Sequence, residues 1–425
     1  MRKPMDAQRL RDWLRHGLVV LLLISAFFLL RRTGYYAGIR SLLSSAPARS
    51  ESAGTDEPAA ADAAVGVECV AVTVCGPEGG ARYGVAYDPA AEGIFRRFSV
   101  DLGEALGSAD DPVECTEEQL RAQLAESCVC FHFAEPVPLR LLAGWLGTDM
   151  TGAAAGDSAA FLCLSAARDA TALCYRTPEG ACFTCATAAK PEALRVRTLD
   201  YPPNGAQYAW ETERLGDGGA LVLPGAPAPA VVKSASALPA GAERDALLGA
   251  VGMNSFVASS YTESDGTVVF VNDETTLRLN PGGTAVFRRG AAGTDAGRDT
   301  VAAAVETAWR LIERSVGQVS GDGALCFAGV RRNEERQSWT VLADYMVDGI
   351  PVRLAAGHAA EIEVRGETVL QAQLQFRRFT RTEERTALLP WLQAAAIAQT
   401  QGSEPALVYA DAGDATECMW VIADG

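Results

Sequence analysis

Residues 17–30, GLVVLLLISAFFLL, constrain this chain more than any other stretch. The run carries no charge, and as a helix its fourteen residues rise about 21 Å. That falls short of the roughly 30 Å hydrocarbon layer of a bilayer. The flanks extend it. Trp13 on one side and Tyr35 and Tyr36 on the other stand where interfacial aromatic belts form. Arg15, His16, Arg31 and Arg32 have the reach to snorkel outward. The spacing predicts a transmembrane anchor over 13–36. The competing assignment is a cleaved signal peptide, whose apolar core has this length. Arg31 and Arg32 occupy the place of a small-residue cleavage site, and the nearest small triplet, Ser44-Ser45-Ala46, precedes Pro47. No Cys follows the core to accept a lipid, so the uncleaved anchor is favoured. Basic residues outnumber those on the far side, which predicts a cytoplasmic tail over 1–12 and an extracellular C-terminal body.

Charge divides the chain in the same place. Residues 1–40 carry eight basic and two acidic side chains, so the overall charge of −16 leaves −22 on the remainder. An excess of that size repels nucleic acid and anionic membrane surfaces, and no nucleic-acid partner is expected. Residues 37–63 are rich in Ala, Ser, Pro and acid and read as a flexible stalk.

Beyond the stalk, periodicity organises a chain of 425 residues into two or three expected domains. In 64–215, strands are predicted at 67–75, 82–87, 128–133, 159–165, 171–176 and 181–187. Helices are predicted at 92–106, where Ile94, Phe95, Phe98, Leu102 and Leu106 share a face, at 116–125 behind a capping box of Thr116 and Gln119, and at 139–146. Residues 216–241, dense in Pro, Gly and Ala, read as a linker with one short extended piece. A middle helix-plus-sheet domain is predicted over 242–290 and a C-terminal α+β domain over 298–425. In the last, Thr380 and Glu383 have capping-box spacing and predict a helix start, and Pro390 opens a further helix to 399. Helices followed by antiparallel meanders, without βαβ alternation, give the α+β class.

Chemistry is sparse in the sequence. It contains no GxSxG, P-loop, HExxH, EF-hand or SxxK pattern. His132 and His358 each precede a Glu by three residues, Glu135 and Glu361, but on a regular strand positions i and i+3 face opposite sides. Glu361 and Glu363 alternate with Ile362 and Val364, as on the wet face of a strand. The eleven Cys fall mostly in apolar runs and read as small buried hydrophobes, with disulfides as the alternative outside the cytoplasm. Cys128 and Cys130 point the same way along one strand and are poorly placed to bridge each other. Cys182 and Cys185 form a lone CxxC, open to a local disulfide or, less readily, zinc. A Cys-His hydrolase would need a base polarising one of these thiols. The expectation is a non-enzymatic protein with no catalytic residues, cofactor or metal.

Several stretches resemble the YycH/YycI family, its clostridial YycH-like branch above all. They are CFHFAEPVPLRLLAGWLG (130–147), LGAVGMNSFVASSYTESDGTVVFVNDETTLRLNPGGTAVF (248–287), WTVLADYMVDGIPV (339–352), LLPWLQAAAIAQ (388–399) and MWVIADG (419–425). The C-terminal part is also similar to the PepSY-type helix-plus-strand unit. The resemblance implies a single-pass extracytoplasmic regulator of an essential cell-wall two-component system in Firmicutes. It implies contact with the transmembrane and extracellular parts of a sensor histidine kinase, beside a YycI-like partner, and it transfers no catalytic residues. The alternative from another class is a PepSY-like envelope inhibitor of a wall hydrolase or protease.

Overall fold

Alternating apolar residues build two antiparallel sheets, and the helices cover them. The computed structural model describes residues 68–77, 80–166, 169–212, 215, 219–254, 258–290, 299–413 and 415–423. The tail 1–12, the anchor 13–36 and the stalk 37–63 lie outside these residues. Among the described residues no helix is long and apolar enough to cross a membrane.

The first sheet comes from the N-terminal half. Its elements are β1 (Cys69–Cys75), β2 (Arg82–Ala86), α1 (Ala90–Gly107), β3 (Val113–Cys115), α2 (Glu117–Leu124), β4 (Ser127–Pro138), α3 (Leu139–Trp145), β5 (Ser158–Ala166), β6 (Thr171–Arg176), β7 (Cys182–Thr187) and α4 (Pro191–Thr198). Seven strands run in the order β2-β1-β4-β5-β6-β7-β3, all antiparallel. The predicted face of α1 is the buried one, and Phe95 meets Phe131 and Phe133 of β4 edge-on at 5.4 and 5.9 Å between ring centres. Burial of such rings supplies about 1.5–3 kcal/mol each. The capping box of α2 forms as expected, with Thr116 accepting from the Gln119 N–H and the Gln119 side chain accepting from the Thr116 N–H.

The stretch 216–241 is more ordered than a linker. A ribbon of β8 (Gln207–Tyr208) and β9 (Leu221–Val222) lies before and within it, and it holds β10 (Ala230–Ser236). Then follow α5 (Ala242–Ala250), β11 (Ser259–Thr262), β12 (Val268–Asn272), β13 (Thr275–Asn280), β14 (Thr284–Arg289), α6 (Val301–Arg314), β15 (Ala324–Asn333), β16 (Ser338–Val347), β17 (Ile350–Leu354), β18 (Ala360–Arg365), β19 (Thr368–Gln375), β20 (Arg377–Arg385), α7 (Trp391–Gln399), β21 (Glu404–Asp411) and β22 (Thr416–Ala423). Eleven strands share one sheet, in the path β11-β12-β13-β14-β19-β18-β16-β17-β21-β22 with β15 beside β16. The strands of 242–290 and of 298–425 are thus continuous, joined where β14 pairs with β19, Thr284 opposite Gln375. Among the described strands of this sheet, β17 and β21 alone run parallel.

Thr380 and Glu383 do not start a helix. They lie in β20, which pairs with β10, Lys233 opposite Thr380 and Ser234 opposite Phe379. The sequence RRFTRTEER offers a helix no apolar stripe to bury, whereas as a strand it places Phe379 fully inside. The hairpin between β16 and β17 turns on Asp348-Gly349, both at positive φ as a type I′ turn requires. At Gly349 a Cβ would also stand 2.8 Å from the Asp88 backbone nitrogen, so the N-terminal half packs against this turn.

A buried ion pair ties the β10–β20 ribbon to the last hairpin. Arg377 grips Asp411 with Nε at 2.8 Å and Nη2 at 2.9 Å, and Ser234 of β10 bonds to both. Arg377 is 9% exposed and Asp411 4%. A charge stripped of its partner at such depth costs about 3–5 kcal/mol. The substitution Arg377→Met is therefore expected to lower the unfolding free energy by about that amount, read as an earlier midpoint in urea, while Arg377→Met with Asp411→Leu recovers most of it.

Candidate functional site

The two sheets face each other across a cleft of about 620 Å³, within the size range of ligand sites. One wall belongs to the first sheet and its cover, with His132 and Glu135 on β4, Phe161 on β5, Arg176 on β6, and Tyr208. The other belongs to the second sheet, with Asp344 on β16, Arg353 on β17 and Glu404 on β21. Charges of both signs therefore converge on one space.

His132 and Glu135 were expected on opposite sides of a strand, yet both line this cleft. The reason is an irregularity in β4, whose register with β5 shifts between His132 and Val137. His132 does face away from Phe131 and Phe133, which enter the core beneath α1. Its ring packs edge-on against Phe161 at 5.0 Å, and Nε2 lies 3.5 Å from the Tyr208 hydroxyl. Burial holds its pKa down at about 4. His358 pairs with Asp344 and not with Glu361, its Nδ1 lying 3.0 Å from Oδ1. That hydrogen bond raises its pKa, against the opposing effect of burial. Burial also raises the Glu135 carboxyl, and the nearby Asp344 carboxylate adds to the effect.

At the far end, Arg176 bonds to Glu117 at 2.9 and 3.1 Å, and its guanidinium lies over the Phe161 ring. Gly219 approaches so closely that a Cβ there would stand 2.5 Å from the Glu404 Oε1. Glu361 and Glu363 do not enter the cleft. Their neighbours Ile362 and Val364 are fully buried, while Glu363 accepts from Ser338 and Arg336 at 2.6 and 3.0 Å.

All eleven cysteines carry free thiols. Cys182 packs with the thiols on one face of the first sheet, and Cys185 sits in the core on the other. Three strand residues span about 10 Å, beyond the reach of a disulfide, so the CxxC forms neither a local bridge nor a shared ion site. No family model, curated protein or solved structure matches the chain.

Sequence reading missed Glu135, Asp344, Arg353 and Glu404 as neighbours, because they come from strands up to 269 positions apart that only sheet packing brings together. Carboxylates and guanidiniums are set around apolar walls.

The two histidines are expected to titrate in opposite senses. By NMR, His358 is expected to hold its proton above pH 6.5, and His132 to stay neutral down to about pH 4. The unfolded chain takes a proton on His132 near pH 6.5 that the folded chain refuses. Its contribution to stability is thus full above pH 6.5 and is lost as pH falls from there toward 4. Urea unfolding at pH 7.5 and 5 is expected to show a larger loss for the natural chain than for His132→Gln.

Proposed function

We propose that this chain is a membrane-anchored extracytoplasmic regulator that modulates a cell-wall two-component sensor histidine kinase by protein–protein contact. The observation that carries the reading is the order of the chain: an apolar run at 17–30 with basic and aromatic flanks, an acidic stalk, and then an acidic α+β body. The resemblance of the five stretches to YycH-like proteins supports it. A tether of this kind holds body and partner at high effective concentration, so weak contacts suffice. The anchor has small residues, Gly17, Ser25 and Ala26, for close lateral packing against other membrane helices. The cleft offers a mixed-charge surface to an extracellular segment of the partner. To alter kinase output, these contacts must favour one of its signalling states over the other.

The test replaces helix 13–36 by an unrelated apolar helix in one strain and removes the body in another, reading response-regulator phosphorylation. At least one change is expected to shift output. Unchanged output in both strains sinks the proposal. Photocrosslinking from positions in 13–36, followed by mass spectrometry, is expected to capture the kinase.

A further inference from the structure

Seven of the eleven cysteines share one face of the first sheet. Strand register sets them in rows: Cys75 opposite Cys128, Cys130 opposite Cys163, Cys163 opposite Cys174, and Cys115 opposite Cys182. The opposite face of the same strands carries Val72, Val129, Phe131, Leu162, Leu164 and Leu173. A face built only for packing needs no such change of residue type. Within it, the Sγ atoms of Cys128, Cys130 and Cys163 all lie within 4.8 Å of one another, and all three residues are 0% exposed.

We propose that Cys128, Cys130 and Cys163, with Cys75 beside them, form a site for one divalent thiophilic ion of the zinc class. Sulfurs bound to zinc at about 2.3 Å in a tetrahedron stand about 3.8 Å apart. Cys128 and Cys130 are already 3.9 Å apart, and Cys130 and Cys163, at 3.1 Å, need to open by about 0.7 Å. Cys75 stands opposite Cys128 in the strand register, its Sγ directed at the Ala125 carbonyl at 4.0 Å. The surroundings suit thiolates. Arg82, 2% exposed, lies near enough for its charge to favour ionised Cys75 and Cys130. Thr73, opposite Cys130 in the strand register, shares its hydroxyl with Tyr208 at 2.8 Å, an outer layer of the kind that orients metal ligands.

Binding exchanges protons for metal. Three thiols release three protons as three sulfur–metal bonds form, leaving a net −1 on three thiolates around a divalent ion beside the Arg82–Glu211 pair; no electrons move. Tyr208 and Phe161 separate the cluster from the cleft, so loading accompanies folding or the opening of that cover. The role is structural: the ion would pin β4 and β5 together beneath the cleft wall.

The full chain, purified in detergent under anaerobic reducing conditions and stripped by chelator, is titrated with Co²⁺. One equivalent is expected to produce near-ultraviolet thiolate-to-cobalt charge transfer and tetrahedral visible bands, which Zn²⁺ then bleaches. X-ray absorption of the zinc form is expected to show three or four sulfurs at about 2.3 Å. Cys130→Ser is expected to abolish the one-equivalent signal, and Cys185→Ser, on the other sheet face, to keep it. Should Cys130→Ser fail to fold, the absorption data on the natural chain decide alone. A nitrogen- and oxygen-dominated shell, no charge-transfer band, or a Cys130–Cys163 disulfide in unreduced protein overturns the proposal.

Discussion

Arg82 is a guanidinium placed inside a protein, and much of the N-terminal half is arranged to satisfy it. It rises from β2 onto the face of the sheet away from α1. Two of its nitrogens bond to the Glu211 carboxylate at 2.7–3.1 Å, and a third donates to the Leu124 carbonyl at 2.6 Å. The ring of Tyr208 lies beneath it, 5.1 Å from centre to charge. A buried charge is tolerated only when paired and hydrogen-bonded. These partners come from two separate pieces of chain, the C-terminal end of α2 and the continuous run of β8 and the 3-10 turn Ala209–Glu211, so the one group fixes how that stretch lies across the sheet.

The consequence reaches both sites. Strand β1, CVAVTVC, is buried along its whole length, which demands cover on both faces. Helix α1 supplies one cover, and residues 204–212 and 219–222, the first of them held by Arg82, supply the other. Beneath that second cover lie the thiols. At its edge, Tyr208 and Gly219 become the wall of the cleft. The body thus places a sulfur-rich layer directly under the charged cleft.

The second sheet is joined as firmly. Residues that read as two domains share one sheet, because β14 finds its partner in β19, and the stretch that read as a linker joins them as a separate ribbon, because β10 finds its partner in β20. The ring of Trp145, at the end of α3, meets Phe327 of β15 edge-on at 5.5 Å, so the cores of the two halves are contiguous. The cleft is lined by residues of both sheets, so its two walls are held by one contiguous core.

Local chemistry was legible in the sequence. The apolar spacing of Ile94, Phe95, Phe98, Leu102 and Leu106 specified α1 and its buried face, because a helix has one way to hide five such residues. Thr116 and Gln119 specified the start of α2, because both capping bonds close within four residues. Alternation specified most strands, and with them the α+β class. The same local reasoning misread Thr380 and Glu383, since a spacing of three does not say whether an apolar stripe follows or whether β10 stands ready to pair. Parity along β4 showed that Cys128 and Cys130 share a side, but not that Cys163 meets them, nor that an irregularity turns Glu135 toward His132. Those facts belong to tertiary structure: register between strands and the packing of one sheet on another join residues far apart in the chain, and no window of sequence contains both partners.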